Sequence, residues 1–346
     1  MKTKYHSYEE IISQSSSLEL VVDYILENAN KIRDFFATSG DIVFVACGSS
    51  YWMSLSAHRT MHLFTGKKTY AVKAGDVVMC PDEYTRMYDN PVFLFPSRSG
   101  QTKEVLDALD ILVGAYQKAS ILSVTIYPEN ELMKKSDLSL FMDWPNETSI
   151  CQTRSFSSLY TAFIMIAAVV GGKEGFISRL REYLRVAPKL YKEHEKEIES
   201  IANSKEVTSV VALGSGLQYG LVVEGAYIVI EMAEFASNYY QLLEYRHGPI
   251  VTADSGTAVF ICSDNNSFEI EAKMAREIRD EGGKVYAIAN REVDWADITF
   301  SLEGDYDKEI TALHFTFVLQ LFAYYFSIDL GRNPDSPGNL VPFIIY

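Results

Sequence analysis

The strongest constraint on this chain is a strand–loop–helix order that occurs twice. Ile42–Ala46 is a continuous apolar run that leads into Cys47-Gly48-Ser49-Ser50 and then a helix-like stretch. Val207–Leu213 leads in the same way into Gly214-Ser215-Gly216 and another helix. A second apolar run follows in each half, Val92–Phe95 and Ala258–Ile261, with Ser97 and Ser263 just beyond. Gly48 to Ser97 and Gly214 to Ser263 are both 49 residues. Third runs lie at Ile121–Val124 and Val285–Ile288, fourth runs at Leu138–Phe141 and Ile298–Ser301. Strands that are apolar throughout, alternating with helices, belong to parallel sheets covered on both faces. The expected fold class is α/β, with two doubly wound parallel-sheet domains in tandem. The expected boundaries are a helical segment over 1–39, a first domain over 40–172 and a charged helical linker over 173–206, interrupted at Pro188. A second domain over 207–330 and a Pro/Gly-containing tail over 331–346 complete the chain.

Composition narrows the function. With 48% hydrophobic and 22% charged residues over 346 positions, the chain is neither disordered nor fibrous. A net charge of −15 repels a phosphate backbone, so nucleic-acid binding and a polybasic membrane mode are not expected. The four cysteines, Cys47, Cys80, Cys151 and Cys262, lie far apart and match neither a zinc motif nor a disulfide framework. The N-terminus has no signal-type apolar region, and the longest apolar run, Leu159 to Val170, is too short to cross a bilayer. A cytoplasmic protein without metal or cofactor is expected.

Ligands of doubly wound sheets bind beyond the carboxyl ends of the strands. In the first half that edge carries Ser97-Arg98-Ser99-Gly100-Gln101-Thr102, directly before a helix. Three hydroxyls, a permissive glycine and a helix N-terminus suit a phosphate. Ser49 and Ser50 lie at the edge of the neighbouring strand. The competing explanation is that Ser99 or Thr102 only caps the helix. The second half has Ser263-Asp264-Asn265-Asn266 here, and Asp264 would repel a phosphate, so one anion site per chain is expected.

The stretch Leu221–Met232 is apolar almost all round, apart from Glu224 and Glu231. Seven residues apart, they share a helix face. A buried carboxylate is costly without a task, and burial raises its pKa toward that of a useful base. The spacing alone leaves open which of the two is the base. His58 and His62 are four apart on a helix but have no third ligand, and the remaining histidines form no constellation. Gly214-Ser215-Gly216-Leu217-Gln218-Tyr219-Gly220 admits a dinucleotide enzyme as an alternative, but its third glycine is displaced by one residue.

Cys47-Gly48-Ser49-Ser50, Ser97-x-Ser99-Gly100-x-Thr102 and Glu244-Tyr245-Arg246-His247-Gly248-Pro249 resemble the double sugar-isomerase (SIS) family. That family includes the isomerase half of glucosamine-6-phosphate synthase and the fructosamine-6-phosphate deglycases. The likeness covers roughly residues 40 to 340 and includes no amidotransferase domain. It implies a phosphorylated sugar as substrate, with Ser50, Ser97, Ser99 and Thr102 on the phosphate. Arg98 stands where the synthase usually has glutamine, adding positive charge near the anion. Glu231 aligns with the family's acid/base. His247 aligns with the histidine that helps open the sugar ring from the partner subunit, which implies a homodimer or larger homo-oligomer. The synthase has a lysine where this chain has Ile228 and another in its tail, matched here by Pro342. No lysine follows Lys308. A substrate already carrying nitrogen at C1 or C2 has less need of that amine. The resemblance therefore implies a deglycase or deaminase, with a plain aldose–ketose isomerase or a non-catalytic sugar-phosphate sensor as alternatives.

Overall fold

The computed structural model describes residues 5–338, 340 and 341. Pro342 lies outside the described residues. Three helices open the chain: α1 (His6–Ile12), α2 (Gln14–Glu27) and α3 (Ala29–Phe36). The first sheet is then built from β1 (Ile42–Ala46), α4 (Gly48–Thr65), β2 (Thr69–Lys73) and α5 (Ala74–Met79). It continues through β3 (Val92–Ser97), α6 (Lys103–Ala115), β4 (Ser120–Thr125), α7 (Glu131–Lys134) and β5 (Leu138–Phe141). Two long helices follow, α8 (Arg154–Gly171) and α9 (Glu174–Ala202). The second sheet uses β6 (Ser209–Gly214), α10 (Tyr219–Ala233), β7 (Ser237–Gln241), β8 (Thr257–Cys262) and α11 (Phe268–Asp280). It ends with β9 (Lys284–Ala289), β10 (Ile298–Ser301) and α12 (Lys308–Asp329).

Both sheets are five-stranded and wholly parallel, as the apolar runs require. Their orders are β2-β1-β3-β4-β5 and, read from the corresponding edge, β7-β6-β8-β9-β10. The inner strands β1, β3 and β8 are buried at every residue. Edge strands β2 and β7 do not stand out as apolar runs, because Thr69–Lys73 has only Ala71 and Val72 as aliphatic residues, Ser237–Gln241 has none, and both strands are largely half exposed. An edge strand pairs on one side only and tolerates this.

The register revises the repeat by two residues. Ile42 pairs with Val92 in one sheet and Val210 with Ala258 in the other. Gly48, two residues past β1, has φ +53°, and its counterpart two residues past β6 is Gly216, with φ +61°. Gly214 is instead the last residue of β6, where a Cβ would lie 2.6 Å from Val222 Cγ2. The equal 49-residue spacing therefore does not mark equivalent positions.

The chain divides into two compact units. One comprises Gln14–Glu147 and Arg154–Arg181; the other runs to Ser13 and resumes over Thr148–Thr153 and Glu182–Leu340. Helix α9 runs unbroken through Pro188, where an interruption is expected from sequence. Proline removes one backbone hydrogen bond. Burial of Leu180, Tyr183, Leu184, Ala187, Leu190 and Tyr191 along one side offsets that loss.

Helices α8 and α12 are long and apolar enough to cross a membrane, contrary to the twelve-residue limit read from sequence. Both are buried inside the protein, α8 against α2, α3 and α4, and α12 against α10. The polar groups of α12 are met by protein: Gln320 Nε2 donates to the Thr153 carbonyl at 3.1 Å and Thr316 Oγ1 to the Ala312 carbonyl at 3.0 Å.

Candidate active site

The carboxyl edge of the first sheet places the serine loop between β3 and α6. Ser97, the last residue of β3, accepts a hydrogen bond from the Gly100 N–H at 2.9 Å through Oγ. Ser99 Oγ accepts from the Gln101 N–H at 3.2 Å. A hydroxyl that accepts in this way keeps its own proton to donate. Gly100 has φ +62°, and a Cβ there would meet Asn130 Oδ1 at 2.1 Å. Asn130 is buried at the start of α7, accepting from the Met133 N–H at 2.9 Å and donating to Thr125 Oγ1 and the Tyr127 carbonyl. The Arg98 carbonyl accepts from the N–H groups of Ile126 and Tyr127, and the Gly100 carbonyl from that of Leu132. The segment that follows β4 thus holds the loop through the loop's backbone carbonyls.

Thr102 occupies the N-cap of α6 without a side-chain capping bond, and Ser99 bonds within the loop. Capping therefore does not account for either hydroxyl. Ser50 is buried in the first turn of α4, after Cys47 in extended backbone and Gly48 in the left-handed region. Arg98 is 5% exposed and pairs with the fully buried Glu147 at 3.8 Å. Glu147 also accepts from Ser155 Oγ. The positive charge expected near the anion thus arrives already balanced by a carboxylate. Asn130 and Glu147 were not singled out from sequence; an asparagine and a glutamate in loops carry no pattern that announces a distant partner.

The other unit holds the carboxylates. Glu224, Tyr227 and Glu231 succeed one another along one face of α10. Glu224 is completely buried, whereas Glu231, in the last turn, is only half-buried. The expected burial of both carboxylates therefore holds for Glu224 and is corrected for Glu231. The helix ends there, and Ile230 beside it is exposed. Burial raises the Tyr227 hydroxyl pKa, and the charges of Glu231 and Glu224 raise it further. Ile228 lies fully buried between them in sequence.

His247 is exposed and follows a 3-10 turn over Glu244–Arg246. Its N–H donates to the Glu244 carbonyl at 3.1 Å, and Gly248 takes φ +127°. Tyr245 anchors this turn in the core, and Arg246 pairs with Glu277. Gln241 Oε1 accepts from the N–H groups of Leu243 and Glu244. Fixed backbone thus carries a solvent-facing imidazole.

The spacing of His58 and His62 is accounted for by bonds to Thr69 Oγ1 at 3.3 Å and the Lys67 carbonyl at 2.7 Å. A constellation that the sequence concealed lies elsewhere. His314 Nε2 is 3.1 Å from His194 Nδ1, and His314 Nδ1 is 3.0 Å from the Tyr183 hydroxyl. The partners are 120 and 131 residues apart in the chain. In the dinucleotide-like stretch, Gln218 is 1% exposed and donates to the Ser263 carbonyl at 3.0 Å, filling the space before α10.

With this geometry, residues 35–170 match the family model of the SIS domain. The chain is 27% identical over 96% of its length to the isomerising glutamine–fructose-6-phosphate aminotransferase of Sulfolobus acidocaldarius, covering 55% of that protein. It thus spans about half the length of the curated relatives it matches. It is 28% identical to the glucosamine-6-phosphate deaminase of Thermotoga maritima, with a TM-score of 0.86 over 99% of this chain and 100% of that one. The fold is also shared with the tagatose-6-phosphate ketose/aldose isomerase of Escherichia coli, at 21% identity and a TM-score of 0.87 over 98% of each chain. Residues 35–170 thus match the SIS domain, and nearly the whole chain is similar to one half of an isomerising aminotransferase.

Proposed function

We propose that this chain is a phosphosugar enzyme that moves a proton between C1 and C2 of an open-chain amino-sugar or fructosamine 6-phosphate and so releases the nitrogen. The observation that carries the reading is the Ser97–Thr102 loop. The Ser97 and Ser99 hydroxyls accept from backbone N–H groups of the loop, which leaves their protons for an anion. In this reading Ser50, Ser97, Ser99 and Thr102 hold the 6-phosphate, and the paired Arg98 fixes the loop beside it. Residues 207–330 act as a second SIS domain, supported by the shared strand order. The protein works in the cytoplasm as a homodimer or larger assembly.

Glu231 is the proton-transfer group, and a half-buried carboxylate can exchange its proton between turnovers. His247, exposed on a fixed turn, assists ring opening in the partner subunit. With a fructosamine, Glu231 takes a proton from C1 to give an enaminol. Return of the proton at C2 gives an imine at C1, and water hydrolyses it to an aldose 6-phosphate and free amine. With a 2-amino sugar the same shift runs from C2 to C1, and ammonia leaves from C2. The shift is redox-neutral within the sugar, so the atoms balance with water alone. Pro342 stands where the synthase has the tail lysine able to form an imine with the sugar, which favours substrates that bring their own nitrogen. The likeness to a glucosamine-6-phosphate deaminase supports this reading.

The test is a panel of fructosamine and amino-sugar 6-phosphates read by mass spectrometry, with release of amine or ammonia expected. If nitrogen is retained while glucose 6-phosphate and fructose 6-phosphate interconvert, the chain is a plain isomerase. Binding without any turnover would mark a sensor.

A further inference from the structure

The strand register makes Ser263 the counterpart of Ser97, since Val92 and Ala258 occupy equivalent places beside β1 and β6. From each serine the chain turns through a polar loop into a helix. Eight residues past Ser97 stands Val105, buried and apolar; eight past Ser263 stands Glu271, 1% exposed. The Glu271 side chain reaches back into the loop. Its Oε2 accepts from Ser263 Oγ at 2.5 Å and its Oε1 from the Asp264 N–H at 2.8 Å. A hydroxyl and a backbone N–H are the donors that a bound oxyanion takes at such a strand end. Asp264, whose charge speaks against a phosphate, is in turn paired with Lys308.

We propose that Glu271 is a specificity-determining residue that fills the Ser263 loop with the chain's own carboxylate and so confines phosphate binding to the Ser97–Thr102 loop. The confinement rests on the function proposed above; the filling of the loop does not. A carboxylate presents two oxygens to two donors, as an edge of a phosphate does. Being tethered, it acts at an effective concentration in the millimolar range or above, so a weakly bound free anion must exceed that to displace it. Asp264 alone is a weaker barrier, because Lys308 balances it.

The test counts anion sites per chain by calorimetry, with inorganic phosphate and glucose 6-phosphate as probes. The wild type should show one site, weakened at least 10-fold in Ser97→Ala/Thr102→Ala. Glu271→Val, which copies the first half, should show two, and the second should survive addition of Ser97→Ala/Thr102→Ala but not of Ser263→Ala. Glu271→Gln, which keeps an acceptor in place, should show one. Formate should raise the melting temperature of Glu271→Val saturably and leave the wild type unchanged. A folded Glu271→Val with one site and no formate response overturns the proposal. If Glu271→Val does not fold alone, refolding in formate must recover it, and no recovery overturns the proposal equally. A wild type with no site, beside a Glu271→Val variant with one that needs Ser263, would defeat the phosphate reading of the first loop and leave the filled loop standing.

Discussion

Ser97 and Ser99 each spend an acceptor on a backbone N–H, so the outward proton is the part of each hydroxyl left for a ligand. Replacing Ser97 and Thr102 together by alanine should cost about 2–4 kcal/mol of affinity for a sugar 6-phosphate, at roughly 1–2 kcal/mol per hydrogen bond to a charged group. The unphosphorylated sugar should bind unchanged; titration of both ligands tells the two apart, and equal losses would exclude a phosphate cradle. Gly100→Ala should be worse than its size suggests. The residue must keep φ +62°, and its Cβ would meet Asn130 Oδ1 at 2.1 Å. A lower melting temperature together with weaker phosphate binding is expected. At Glu231, replacement by glutamine should leave ligand affinity intact and slow turnover by roughly 10²–10⁴-fold, the usual contribution of a general base. Full activity in Glu231→Gln would move the role to Glu224.

Titrating groups on three helices affect stability with opposite signs. In α11, burial pushes the Glu271 carboxyl from its ordinary 4.5 up to about 7, against the lowering effect of its bonds to Asp264 and Ser263. Its contribution to stability is fully present below 4.5 and is lost as pH rises through about 7. A shift of that size corresponds to about 3 kcal/mol. Glu271→Gln should flatten this part of a stability–pH curve measured by urea unfolding. Between α9 and α12, burial depresses His194 from 6.5 to about 4 and holds His314 well below its ordinary value. The unfolded chain takes up these protons first, so stability from this pair falls as pH drops from 6.5 toward 4. His194→Gln should reduce the acid-side loss; an unchanged acid limb would show that the pair is not its cause. The elements themselves were legible to different degrees. The inner strands announce themselves as apolar runs, because both faces are covered. The edge strand Ser237–Gln241 does not, and Pro188 reads as a break because local propensity cannot weigh the apolar side that α9 buries.

At the scale of the whole molecule, the exposed His247 leads to a prediction about assembly. If it serves a neighbouring subunit's site, mixing inactive Glu231→Gln with inactive His247→Ala subunits should restore about one quarter of wild-type activity, as expected for random exchange in a two-fold dimer. Verified exchange without recovery would put both residues in one chain's site. The two sheets also differ in what their equivalent loops have become. One is braced by Asn130 from outside the loop, and the other is filled by Glu271.

The sequence by itself determined the fold class, the inner strands and the serine loop, because each is written in neighbouring residues. Burial on both faces demands uninterrupted apolar runs, and the loop's hydroxyls and glycine stand together before a helix start. Only the tertiary structure decided which carboxylate of α10 is fully buried, that Arg98 comes paired with Glu147, that His194 meets His314, and that Gly216 rather than Gly214 matches Gly48. Those outcomes depend on where a helix ends and on partners brought together across as many as 120 residues. Periodicity reports which face of an element is apolar; it carries no information about which distant charge or hydroxyl that face will meet.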